Sequence, residues 1–126
     1  YQRRVRGMIL YLSLQIEDVT KNFKEQISSQ NFSAIVFCAL DCDYCQTYLD
    51  EVEKTIQLFS QSNNNQIEIK TASCRQDASL CKQYKIVEHP TLKLWRNGVE
   101  LIEYKGPRNA VVLFEWLTVM MNKFIK

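Results

Sequence analysis

Cys42-Asp43-Tyr44-Cys45 sets two thiols two residues apart, close enough for the pair to close and reopen a disulfide. The thiolate is the form that attacks disulfides, so what matters is whether the surroundings favour it. Zinc is the other chemistry such a pair serves. It would need two further ligands, and Cys38, Cys74, Cys81 and His89 do not form a second close pair at ligand spacing. The pair is therefore read as redox-active, with no metal site. An inert structural disulfide and two unreactive buried thiols are the plainer alternatives.

The elements around the pair decide its placement. Ser33 to Leu40 is a continuous apolar, β-branched run of the length expected for a strand buried on both faces. From Cys45 onward the period changes, with Tyr48, Leu49, Val52, Ile56 and Phe59 forming one stripe of an amphipathic helix. The cysteines thus fall at a strand-to-helix junction. The unsatisfied N–H groups and partial positive charge of a helix start there favour Cys42 as the thiolate. A Cys-x-x-Cys beside a strand and a helix is the sequence sign of a thioredoxin-like redox site.

Further along, Glu17 to Ser28 reads as a helix through Val19, Phe23 and Ile27, and Ile67 to Thr71 alternates as a strand. Asp77 to Tyr84 is a short helix. Asn97-Gly98 between two apolar stretches signals a hairpin, and Asn109 is a suitable N-cap for a last helix. That helix turns Leu113, Trp116, Leu117, Met120 and Phe124 inward, leaving Phe114 and Met121 as the candidates for exposure. Met8 to Gln15 is read as linker plus a first strand. Cys38, inside the apolar strand, reads as a buried thiol.

At 126 residues the chain is one domain with a substantial core. Its formal charge of +2 is mild and its basic residues are scattered among acids, which gives no footprint for nucleic acid. No apolar run approaches the roughly eighteen residues that cross a bilayer. Five cysteines is a high, odd number; if four pair, the compartment is oxidising.

The order of elements, the Cys-x-x-Cys and the stretch His89-Pro90-Thr91-Leu92-Lys93-Leu94-Trp95-Arg96-Asn97-Gly98 together resemble a thioredoxin-like catalytic domain of the protein disulfide isomerase family. The resemblance runs from about Leu14 to Met121. It implies an α/β thioredoxin fold, a mixed central sheet with helices on both faces, over residues 14–126, with 1–13 as linker or extension. Pro90 matches the family's cis-proline, which with His89 and Thr91 would shape a groove for an extended substrate; an ordinary trans proline at a strand start is the alternative. Cys74 and Cys81 match a second pair that forms a structural disulfide in some members. Seven residues of continuous helix would hold them about 10 Å apart, beyond disulfide reach, so Cys74 must precede the helix. Two reduced core thiols remain the other possibility. Arg108 in Gly106-Pro107-Arg108 matches an arginine that can swing towards the second cysteine and favour its thiolate, against the plainer reading of an exposed arginine at a helix start.

Several positions depart from the family. Asp41, Asp43 and Tyr44 stand where a tryptophan, a glycine and a histidine are usual, and two added carboxylates raise a thiol's pKa. Val36 stands where a buried carboxylate relays a proton to the second cysteine, which implies slow resolution of mixed disulfides. Asp50 replaces a helix-kinking proline, which implies a straighter helix. The resemblance nonetheless implies a thiol–disulfide oxidoreductase in the secretory pathway, acting without a cofactor on cysteine-containing or unfolded proteins and joined to further domains. Cys42 would form the mixed disulfide and Cys45 resolve it. A redox-weak binding module, chaperone or scaffold, is the alternative that the departures favour.

Overall fold

Seven consecutive buried residues, Phe32–Cys38, form β1, the strand on which the rest of the fold is assembled. The computed structural model describes residues 16–39 and 43–125. Within these, β1 pairs in parallel with β2 (Ile67–Ser73) and antiparallel with β3 (Thr91–Arg96), which turns into β4 (Val99–Tyr104). The sheet order is β2-β1-β3-β4, mixed as expected. Asn97 and Gly98 both take positive φ, at 54° and 82°, which two-residue hairpins of the commonest type require.

Strand alternation splits the core into two layers. Ala34, Val36 and Cys38 face α2 (Asp43–Gln61) and α4 (Ala110–Ile125), and Ile35 and Phe37 face α1 (Phe23–Ile27) and α3 (Ala78–Gln83). In the second layer Trp95 sits edge-on to Phe23 at 5.4 Å and to Phe37 at 5.7 Å between ring centroids. Asp77 caps α3 by accepting from Leu80 N–H, and Asn109 caps α4 by accepting from Val111 and Val112 N–H. α2 runs unbroken for 19 residues.

Three expectations are corrected. Residues Glu17 to Val19 are not helical: Thr71 N–H donates to Glu17 and Val19 N–H to Thr71, so this stretch lies along β2, and a 3-10 turn at Thr20–Asn22 leads into a short α1. Sheet pairing wins there over the helical spacing of Val19, Phe23 and Ile27. On α4 the inward stripe is Ala110, Leu113, Leu117 and Met121, so Met121 is buried, while Met120 lies only partly covered at the edge of the core. Phe114 is half-covered too, its ring 4.6 Å from that of Phe59 on α2. The first strand proposed near Met8 to Gln15 lies outside the described residues.

Candidate active site

β1 brings the chain up to the dithiol and α2 carries it away. Cys42 lies outside the described residues; α2 starts at Asp43, the next residue along. The positive end of a 19-residue helix therefore opens directly after Cys42. Cys45, in the first turn of α2, is 3% exposed and shares one cluster with Val36, Cys38 and Tyr48. Tyr44, between the two cysteines, points out and is 72% exposed. The position where the family keeps a carboxylate is the fully buried Val36, paired with Thr71 and Leu92 on its neighbouring strands.

His89 and Pro90 are joined by a cis peptide bond at the start of β3. Thr91 follows, its hydroxyl donating to Glu88 O at 2.7 Å. Pro90 and Thr91 line a polar cavity of about 160 Å³ together with Tyr48, Tyr104, Gly106 and Arg108. Arg108 is exposed, and its guanidinium carbon lies 5.6 Å from the centroid of the Tyr48 ring, within cation–π range. Tyr48 is the residue one helical turn beyond Cys45, so the fold gathers Cys45, Tyr48, Arg108, Pro90 and Thr91 at one end of the sheet, beside the start of α2.

Two residues that build this corner were not singled out by their spacing. Tyr104, at the end of β4, donates its hydroxyl to Pro107 O and so holds the loop that carries Arg108. Gly106 makes room for it: a Cβ there would stand 2.6 Å from the Tyr104 hydroxyl. Tyr48 was read only as part of a helix stripe, although its place three residues after Cys45 was the available signal. Its hydroxyl is buried with no hydrogen-bond partner among the described residues, and burial pushes its pKa well above the ordinary tyrosine value, with Tyr104 adding to the rise and Arg108 opposing it.

Cys74 and Cys81 form a disulfide, with Cα atoms 5.5 Å apart. Cys74 follows β2 and precedes α3, so the chain folds back as the helix-length argument requires. Cys81 is buried in the layer opposite to Cys45, and Cys74 N–H donates to Cys38 O at 2.9 Å across the strand ends. No group of three or more histidine, cysteine or acidic residues able to hold a metal is assembled among the described residues, and no helix among them is long and apolar enough to cross a membrane.

The profile of the Thioredoxin family matches residues 15–119. A protein disulfide-isomerase of Hordeum vulgare is 36% identical over 98 residues, which make up 76% of this chain and 19% of that protein. Endoplasmic reticulum resident protein 44 of Homo sapiens is 28% identical over 101 residues, 78% of this chain and 25% of the relative. The crystal structure of human ERp44 form I superposes with a TM-score of 0.78 at 25% identity, covering 87% of this chain and 30% of that one. The chain spans about a fifth of the length of the first curated relatives it matches. With the mixed four-stranded sheet and the cis bond before Pro90 in place, the chain belongs to the thioredoxin family, and protein disulfide isomerases are among its relatives.

Proposed function

We propose that this chain is a thiol–disulfide oxidoreductase domain of the protein disulfide isomerase type, acting on cysteines of other polypeptides. The observation that supports the reading is the surroundings of Cys45: it is buried in the first turn of a long helix that starts at the residue after Cys42, and Pro90 and Thr91 line the neighbouring cavity. Cys42 as thiolate attacks one sulfur of a substrate disulfide, forming a mixed disulfide and releasing the other substrate sulfur as thiolate. Cys45 then loses its proton and attacks Cys42, so the substrate leaves with two thiols and the domain keeps the disulfide. Run backwards, the same exchange oxidises a substrate dithiol, and no cofactor enters it. Arg108, fixed in charge and stacked on Tyr48, favours the Cys45 thiolate. His89, Pro90 and Thr91 form the groove for an extended chain.

Residues 14–126 form the domain in this reading, with 1–13 as linker and further domains beyond it. The secretory pathway fits both the Cys74–Cys81 disulfide and the endoplasmic reticulum named for the human relative. A second reading, a redox-weak binding module, draws on the apolar Val36 in the layer of Cys45. The pH dependence of Cys42 alkylation in the reduced chain, with Cys45→Ser as control, separates the two. The oxidoreductase predicts a midpoint clearly below the free-cysteine value of about 8.5. A midpoint at or above that value, or no labelling, favours the binding module.

A further inference from the structure

Pro90 lines the polar cavity that holds Arg108, but its neighbour His89 lines a different hollow. The walls of this second hollow are Ala78, Ile86, Val87 and the Cys74–Cys81 disulfide, and it encloses about 620 Å³, within the range of side-chain and ligand pockets. Val87 is 87% exposed, an apolar side chain held open to solvent next to the buried Ile86. The rim is basic. Lys82 and Lys85 both line the hollow, both are exposed, and neither forms an ion pair among the described residues. Their backbone is fixed where α3 ends, with Lys85 N–H donating to Lys82 O at 3.2 Å and Ile86 N–H to Cys81 O at 2.8 Å. Among the described residues no carboxylate lines the hollow, while the polar cavity takes Glu88 and Glu103.

The His89–Pro90 ridge therefore separates two surfaces of different character. An extended chain crossing that ridge sends alternate side chains to opposite sides. We propose that the apolar hollow beside Cys74–Cys81 seats an apolar side chain of the polypeptide whose cysteine engages the Cys42–Cys45 pair, and that Lys82 and Lys85 select chains with aspartate or glutamate next to that residue. The inference rests on the oxidoreductase reading for the identity of the occupant. The occupant itself follows from continuity with the ridge, from the apolar walls and from a rim of unpaired positive charge. Apolar contact supplies affinity, and the lysines discriminate by charge, an effect that salt screens.

Two fluorescent peptides test this by anisotropy on the 126-residue chain, both with serine in place of cysteine so that no chemistry contributes. One has leucine flanked by glutamates, the other leucine flanked by lysines. The acidic peptide is expected to bind about fivefold or more tightly, the size that two exposed ion pairs supply, with the difference shrinking at high salt. Lys82→Glu with Lys85→Glu should reverse the preference, and Val87→Asp should weaken both peptides. Equal binding of the two peptides, or a preference that survives the lysine reversals, would overturn the proposal. Discrimination by a chain whose Cys42 does not alkylate would sink the oxidoreductase instead and leave the hollow as the site of a binding module.

Discussion

Tyr48 shows how one side chain can serve the site at a cost to the fold. Its ring closes the core beside Cys45 and offers Arg108 a face to stack on. Its hydroxyl, however, is buried with no partner among the described residues. A buried hydroxyl without a hydrogen bond costs about 1–3 kcal/mol, whereas a phenylalanine ring fills the same space at no such cost. Tyr48→Phe is therefore expected to leave stability unchanged or raise it by about 1 kcal/mol, read as a shift of the urea midpoint at constant slope. A loss of about 1 kcal/mol or more would show that the hydroxyl is satisfied in solution. Gly106 is the converse case: its missing Cβ is what lets the Tyr104 ring lie under the Arg108 loop, so the loop's position depends on an atom that is not there.

At the scale of elements, the site depends on how α2 and α4 are locked together. Glu51 on α2 accepts from Ala110 N–H at the head of α4, and Thr55, one turn later, donates to Ala110 O. Lys54 at 2.8 Å and the Ala110 N–H hold the Glu51 carboxyl below its ordinary pKa of 4.5. A carboxyl whose folded pKa is depressed adds stability above its unfolded pKa and loses that stability as the pH falls through the folded value. Lys54 lies in solvent, so the contribution is modest. Glu51→Gln should cost about 0.5–1 kcal/mol at about pH 7, and the difference from wild type should shrink as the pH falls below the ordinary value of 4.5. A difference that persisted in acid would assign the effect to packing. These couplings also mark the limit of what the sequence shows. β1, the Asn97-Gly98 hairpin and the Asn109 cap were legible because each is set by local chemistry. Met120 and Met121 were exchanged because successive residues lie only 100° apart on a helix, and Met120 falls at the edge of the stripe that Met121 continues. The stacking of Arg108 on Tyr48, the fit of Tyr104 under Gly106 and the hollow beside His89 arise from strand register and helix packing, which no local pattern records.

The sheet divides the whole molecule into two redox compartments. Cys45 and Cys38 pack on the α2 and α4 side, while Cys81 is buried on the α1 and α3 side. Exchange at the dithiol therefore need not disturb the Cys74–Cys81 bridge, which joins the end of β2 to α3. A crosslink over seven residues narrows the unfolded ensemble by about 2–3 kcal/mol. For a domain of this size that is worth roughly 10 °C in Tm. Mild reduction that opens only the dithiol is expected to leave Tm nearly unchanged, and strong reduction to lower it by roughly 10 °C. The double variant Cys74→Ser, Cys81→Ser should melt at the lower temperature from the outset and respond no further to reductant. If that variant melts with wild type, the bridge adds nothing to the fold, and an oxidising compartment loses its structural rationale. If it melts low, the fold reaches full stability only where disulfides persist, which is where an exchanging dithiol also finds substrate disulfides to attack.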